Sequence, residues 1–373
     1  MLWLLLSRFD LGGLERVQVN LAPAFSAAGL DVCIVAGRFV QEAKKTIPDG
    51  MSTLEIAAQG RHRFIPALLA ALRKNRPHLV MTTSNDVACM MLVIRALIYP
   101  EMKIVCTQHL SLSGPMSQAR GMKRIKMGLV HWMMRRLLPK ADAIIAVSHA
   151  LADDMQRTLG LQSGIEVIHN PIMLPCFDQQ MRMSIDWPWA DKSVPTVIFV
   201  GRLAQVKRTD LLLESFRRLV ARTPARLLVL GDGPERAHLR QAITEHGLDH
   251  MCHLAGFHAN PLPWVRNSDL LVLPSDYEGF GNVLVEAMGC GVQVVSTDCP
   301  DGPAEILDGG RYGQLVPLGD PSALADAMYR SLTGAFHVPP QDLVRRANEF
   351  SLERAVHSYL AVIQSTGSCG QKK

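Results

Sequence analysis

The sequence predicts an α/β protein built from two doubly wound domains facing across a cleft, and three observations carry that expectation. Short apolar runs alternate with helical stretches along most of the 373-residue chain, the pattern of parallel sheets covered by helices on both faces. The alternation lapses once, between residues 170 and 194, where Pro171, Pro175, Pro188, Trp187 and Trp189 replace periodicity as in an interdomain connection. The length suits two domains of ordinary size, and 48% hydrophobic with 20% charged residues suffices for two cores.

Taken in order, Leu2–Leu6 reads as a strand, 10–13 as a turn, 14–28 as a helix ended by Gly29, and 31–36 as a second strand. Apolar runs at Leu79–Thr82, 103–107 and 143–147 continue the sheet, and 165–168 closes this half. The second series opens with a strand at Thr196–Val200 and a helix over 210–222. It continues with strand Arg226–Leu230, helix 235–246 and strand 250–254. Leu270–Leu273 with its following helix, and 292–296, complete the second sheet, and a last helix spans 352–363. The expected division is 1–185, 193–345 and a C-terminal helix and tail over 346–373.

Bulk properties exclude several classes. The opening MLWLLLSRFD is too short for a membrane span and has no basic region before it, so it fits a buried first strand better than a signal peptide. Eight cysteines at 33, 89, 106, 176, 252, 290, 299 and 369 show no Cys-x-x-Cys spacing, which argues for a reducing cytoplasm and against zinc or a disulfide framework. A net charge of +5 without a helix-turn-helix or zinc-finger pattern does not point to nucleic acid.

The most informative stretch is LLVLPSDYEGFGNVLVEAMGCG from Leu270. Pro274 ends a buried strand, Gly279 and Gly281 let main-chain N–H groups approach a ligand, and Asn282 can cap a helix whose first turn aims amides at an anion. Glu278 lies in the loop and Glu286 one turn into the helix, so the two carboxylates have different jobs. Upstream, GRLAQVK supplies Arg202 and Lys207 at the mouth of a parallel sheet, where a diphosphate would need cations. Taken alone, such a pair is more often two solvated loop cations.

The unit EGFGNVLVEAMGCG, acid, seven residues, acid, resembles the signature of family 4 retaining nucleotide-sugar glycosyltransferases of the two-Rossmann-domain (GT-B) type. The resemblance implies that Glu286 holds the donor ribose and Glu278 lies against the donor sugar. The amides of Phe280, Gly281, Asn282 and Val283 would meet the diphosphate, which Arg202 and Lys207 would clamp. One departure stands beside this, Arg208 where many relatives have Gly. By the same resemblance Gly231, in GDGP, lies near the nucleotide, and Gly256 and Phe257 meet its base. Gly12 and Gly13, with Glu15 after them, form a tight loop near the donor, His109 touches the transferred sugar, and Glu305 meets the donor or caps its helix. Each has a plain structural alternative: an ordinary turn for the glycines, a satisfied core residue for the histidine.

The implied reaction moves a hexose or N-acetylhexosamine from a nucleotide donor, UDP-linked, to a glycan or lipid-linked glycan acceptor, with retention. Glu278, His109, Arg202 and Lys207 would carry it, with no metal and no cofactor, the donor being a substrate. Alternatives are an epimerase or hydrolase on the same fold, a glycosidase using both acids, a dinucleotide-dependent oxidoreductase, disfavoured by the lack of Gly-x-Gly-x-x-Gly, and a non-catalytic membrane adaptor. Between Gly121 and Lys140, six cations accompany Ile125, Leu129 and Trp132, and 61–76 is a similar mixture. Both fit either peripheral binding to an anionic membrane, as in family members that extend lipid-linked sugars, or domain helices with cationic outer faces.

Overall fold

The computed structural model describes the chain except residues 11, 57–60, 162–163, 192 and 368–373, and gives only the backbone of 42, 61–63 and 118. Cys369 and part of the turn at 10–13 therefore lie outside the described residues. The chain forms two compact units, Met1–Pro171 joined by the stretch from Leu352, and Ile172–Ser351.

The first unit contains a seven-stranded parallel sheet ordered β3-β2-β1-β4-β5-β6-β7. Its strands are β1 Leu2–Leu6, β2 Val32–Ala36, β3 Ser52–Glu55, β4 Leu79–Thr82, β5 Lys103–Gln108, β6 Ala143–Ala146 and β7 Ile165–Val167. Its helices are α1 Gly13–Ala27, α2 Gln41–Lys44, α3 Arg61–Asn75, α4 Asn85–Leu97, α5 Ser113–Gln118, α6 Gly121–Leu137 and α7 His149–Leu159. β1 is buried along its whole length because it pairs with β2 on one side and β4 on the other. β3 was not expected: an edge strand with mostly exposed side chains carries no apolar run for sequence reading to find.

The second unit adds α8 Phe177–Met181, β8 Thr196–Val200, α9 Thr209–Val220, β9 Arg226–Leu230, α10 Arg236–Glu245, β10 Cys252–Gly256 and α11 Leu262–Arg266. Then come β11 Leu270–Leu273, α12 Asn282–Gly289, β12 Gln293–Thr297, α13 Pro303–Ile306, β13 Gln314–Val316, α14 Pro321–Leu332 and α15 Pro340–Ala347. The sheet runs β10-β9-β8-β11-β12-β13. The sixth strand, β13, was also unexpected. It is three residues long and begins with a buried Gln314, whose amide nitrogen donates to the Ala327 carbonyl and the Ser331 hydroxyl.

The unit boundaries differ from a linker over 170–194. Ile172 and Met173 both donate to the Phe350 carbonyl (3.0 and 3.1 Å), Phe177 packs under Gly289, and Trp187 lies 6.0 Å from Trp264. Prolines and aromatics there make a packed part of the second unit. The last helix, α16 Leu352–Ser365, contributes Ala355, Tyr359 and Ile363 to the first unit's core, with Tyr359 edge-on to Phe25. Among the described residues no helix is long and apolar enough to cross a membrane.

Close backbone approach fixes one turn of the second unit. Gly231 has φ 137°, and a Cβ there would sit 1.8 Å from the Gly201 carbonyl oxygen. Gly231→Ala is therefore expected to cost at least ~2 kcal/mol, from the left-handed backbone and the clash together. Urea unfolding of the variant at an unchanged midpoint would show that the two chains do not meet there.

Candidate functional site

In the second unit the strand order turns back between β8 and β11, so the loops that leave their carboxyl ends diverge and open a crevice. The two motifs that stand out in the sequence leave from these two strands. Lys207 Nζ donates to Glu278 Oε1, which also accepts from Ser275 Oγ at 2.6 Å. Lys207 is 22% and Glu278 11% exposed, so the pair is shielded enough for its charges to hold one another firmly. The main chain ties the loops as well, with the Asp276 N–H on the Val206 carbonyl at 2.9 Å.

Arg208 closes the turn after β8 in a backbone region that favours glycine. It adopts the left-handed conformation (φ 48°, ψ 52°), which costs a non-glycine residue on the order of 1 kcal/mol. Its guanidinium meets Asp210 at 2.9 Å and Asp276 at 3.0 Å. These charge-assisted bonds offset the strain and stitch the loop after β8 to the loop after β11. Arg202 is exposed just beyond β8 and, among the described residues, makes no ion pair.

Asn282 is not the cap of α12, as the sequence suggested, but its first residue. Gly281 is the cap, at φ 100° and ψ 46°, and it places no side chain over the leading amides. Only glycine turns there without strain, and having no side chain it leaves the first amides of the helix without a cap of its own. Phe280 turns its ring into the core against Phe350 (5.5 Å), so only its main chain is available to a ligand. Val283 is half-buried and Glu286 is buried in the body of α12, on a different element from Glu278.

The remaining glycines have structural reasons of their own. Gly231 passes the Gly201 carbonyl, and its N–H donates to the Gly256 carbonyl at 2.7 Å. Gly256 ends β10 in the left-handed region (φ 81°), beside an exposed Phe257. All lie at the carboxyl edge of the same sheet as Lys207 and Glu278. Glu305 is half-buried in the first turn of α13, whose cap is Gly302.

In the first unit, Gly12 caps α1 without a side chain, and Glu15 folds back over it: a Cβ on Gly12 would lie 2.4 Å from Glu15 Oε2. Burial raises the Glu15 pKa, while backbone N–H groups of Glu15, Asp10 and Gly12 pull it down. Gly13 opens the helix. His109 follows β5 and is buried, with Nε2 3.0 Å from Thr107 Oγ1. The Thr107 hydroxyl gives its proton to the Thr82 carbonyl at 2.9 Å, so it can only accept from Nε2–H, which leaves Nδ1 basic. Burial lowers the His109 pKa to about 4, partly opposed by Asn170. A pKa that low leaves the ring uncharged at neutral pH, with Nδ1 buried.

Sequence reading missed Asp154, which organises the chain after His109. Its carboxylate accepts from the Leu112 and Ser113 N–H groups (2.7 and 3.1 Å) and the Ser111 and Thr158 hydroxyls. Burial pushes its pKa up, yet these bonds bring it below the ordinary value. Little in the local sequence marks it, since all its partners except Thr158 lie about forty residues away.

The neutral His109 has a measurable consequence. Between pH 6.5 and 4 the unfolded chain takes up a proton there and the folded chain does not, so stability falls with pH through this window and is fully present above it. At about 1.4 kcal/mol per unit the loss is roughly 3 kcal/mol. His109→Asn is expected to flatten this part of the profile in urea unfolding at pH 7 and 4.5; an unaltered slope would mean the ring is charged in the folded protein.

Residues 11–174 match the family described as Glycosyltransferase Family 4, and residues 194–333 match the description Glycosyl transferases group 1. The N-acetyl-alpha-D-glucosaminyl L-malate synthase of Bacillus anthracis is 28% identical over 200 residues, 52% of this chain and 51% of that protein. The lipopolysaccharide core biosynthesis glycosyltransferase LpsE of Rhizobium meliloti is 30% identical over 230 residues, 60% of this chain and 64% of that one. The chain thus spans between half and two thirds of the length of these relatives. Among solved structures, Anabaena HepE in complex with UDP-glucose superposes with a TM-score of 0.80 at 18% identity, over 98% of this chain and 99% of that chain. Two parallel sheets with the signature loops at their carboxyl ends, matched along both halves, establish that the chain belongs to the family 4 glycosyltransferases and has their GT-B fold.

Proposed function

We propose that the protein transfers a hexose or N-acetylhexosamine from a UDP-linked donor to a glycan or lipid-linked glycan acceptor, with retention and without a metal. The observation that carries this reading is the junction of Lys207 and Glu278 at the switch point of the second sheet. A cation, a carboxylate and the glycine-capped start of α12 all derive from the loops that border one crevice. Lys207 and Arg202 neutralise the departing diphosphate together with the α12 amides. Glu278 orients the sugar, Glu286 takes the ribose hydroxyls, and Gly231, Gly256 and Phe257 border the nucleotide. Gly12 and Gly13 let backbone approach the donor, and His109 shapes the sugar's surroundings as a neutral ring. The leaving phosphate oxygen accepts the proton of the incoming hydroxyl on the face it vacates. The relatives support the class: one is named for lipopolysaccharide core assembly and one structure holds UDP-glucose.

A lipid-linked acceptor would be met at a membrane, and α6 suits one. Met122, Ile125, Leu129 and Trp132 recur every three or four residues and are 67, 68, 59 and 58% exposed, while Met134 is the buried residue of the helix. Lys123, Arg124, Lys126, Arg135 and Arg136 accompany them, with no acid from 121 to 140. An ordinary domain helix buries its apolar stripe. This one presents it among cations, as a helix lying on an anionic bilayer at the inner face of the cytoplasmic membrane would.

Glu286→Ala is expected to weaken UDP binding at least tenfold in calorimetry while the folded spectrum is retained; equal affinity would remove this residue from the donor site. Replacing Lys123, Arg124 and Lys126 with Gln is expected to lower partitioning onto phosphatidylglycerol-containing vesicles on the order of a hundredfold, at about 1 kcal/mol per cation. Undiminished sedimentation with those vesicles would make the helix a solvated face.

A further inference from the structure

The first unit holds a cavity that the donor reading leaves unused. It measures about 470 Å³ and is lined by Arg8, Arg38, Phe39, Val40, Gln41 and Glu55, at the carboxyl ends of β1, β2 and β3. The β1–β2 ladder ends at Leu6 and Ala36, and the two chains meet again beyond a bend at an isolated parallel bridge between Phe9 and Phe39. The Phe9 N–H donates to the Arg38 carbonyl and the Val40 N–H to the Phe9 carbonyl, both at 2.9 Å. Gly37 makes this possible, since a Cβ there would lie 2.4 Å from the Ser7 carbonyl oxygen. Phe9 and Phe39 pair across the bridge and are buried, rings 5.2 Å apart. Side chains alternate along extended chain, so the residue before each Phe faces the other way. Arg8 and Arg38 therefore stand side by side on strand extensions about 4.8 Å apart.

Like charges opposite one another on adjacent strands are destabilising, and the fold does little to relieve these. Arg8 has one exposed pairing with Asp10 at 3.2 Å; Arg38 makes no ion pair among the described residues. Lys44 adds a further cation over the Phe39 ring at 5.6 Å. A single guanidinium fork satisfies a carboxylate, whereas two adjacent forks match the three or more oxygens of a phosphoryl group. The other polar lining, Gln41 and Glu55, suits hydroxyl groups, and Glu55 would repel a bare polyanion. The volume lies within the ~300–1,000 Å³ of small-molecule pockets.

We infer that this cavity is a subsite for a phosphorylated sugar, with the phosphate on Arg8 and Arg38 and the ring hydroxyls on Gln41 and Glu55. The site rests on the sugar-transfer reading only in being the acceptor's. The probes are glucose 6-phosphate, glucose and inorganic phosphate, titrated calorimetrically into the full chain at 0.15 M salt, with UDP titrated separately. Glucose 6-phosphate is expected to bind at least tenfold more tightly than either other probe. Arg38→Gln and Arg8→Gln/Arg38→Gln, at exposed positions and checked for an unchanged Tm, are expected to reduce that affinity tenfold or more, and Lys207→Ala to leave it intact. Equal affinity for glucose 6-phosphate and inorganic phosphate, or full binding by Arg38→Gln, would reduce the pair to solvated cations and overturn the inference. UDP binding without glucose 6-phosphate binding refutes the subsite and leaves the donor reading standing. The reverse, with Arg38 dependence, upholds the subsite and refutes the donor reading, and binding of neither refutes both.

Discussion

The ion pair between Lys207 and Glu278 is the constraint on which the second unit's chemistry depends. It joins two loops that a parallel sheet necessarily sends apart, because the chain leaves β8 towards β9 on one side and leaves β11 towards β12 on the other. Without a link, each loop would be an independent surface turn. The link is reinforced by Arg208 on Asp276 and by a main-chain bond from Asp276 to Val206. A shielded charge loses several kcal/mol when its partner is removed, so the pair holds the loops together while keeping both charges at the crevice. In the proposed reaction an incoming diphosphate replaces the carboxylate as the lysine's partner, so the geometry need not be assembled at the moment of binding.

The same economy governs the glycines. Gly231 and Gly281 are required by backbone geometry, one by the Gly201 carbonyl and the other by a left-handed helix cap. Their value to a ligand is a by-product: where side chains are forbidden, a ligand can come close to the main chain. In the first unit the emphasis differs. His109 is neutral and enclosed, Asp154 fastens the chain that follows it, and the charged, open features are Arg8, Arg38 and the outer face of α6. On the proposed reading, the first unit's polar groups serve a partner that brings phosphate or a membrane, and the second unit's serve a nucleotide.

Arg208 shows how a departure from a family pattern is absorbed. The arginine that stands where many relatives have glycine adopts the left-handed conformation that glycine takes freely, and ion pairs to Asp210 and Asp276 offset its strain. Asn282 shows the opposite error. Asparagine favours caps, but a glycine before it can take the cap itself and shift the helix start by one residue.

The sequence by itself determined the α/β class, most strands, and the two motifs whose residues meet in the second unit, because buried parallel strands are continuous apolar runs and turns demand glycine locally. It did not reveal β3 or β13, whose exposed or polar residues carry no periodic signal. Nor did it reveal that Ile172 onward packs into the second unit while Leu352 onward joins the first, since those contacts join distant parts of the chain. Tertiary structure alone decided that Lys207 meets Glu278, that Arg8 stands beside Arg38, and that the apolar stripe of α6 faces outward. Local sequence sets which conformations a segment can adopt; which charges become neighbours, and which apolar faces stay uncovered, depends on strand order and packing between residues far apart in the chain.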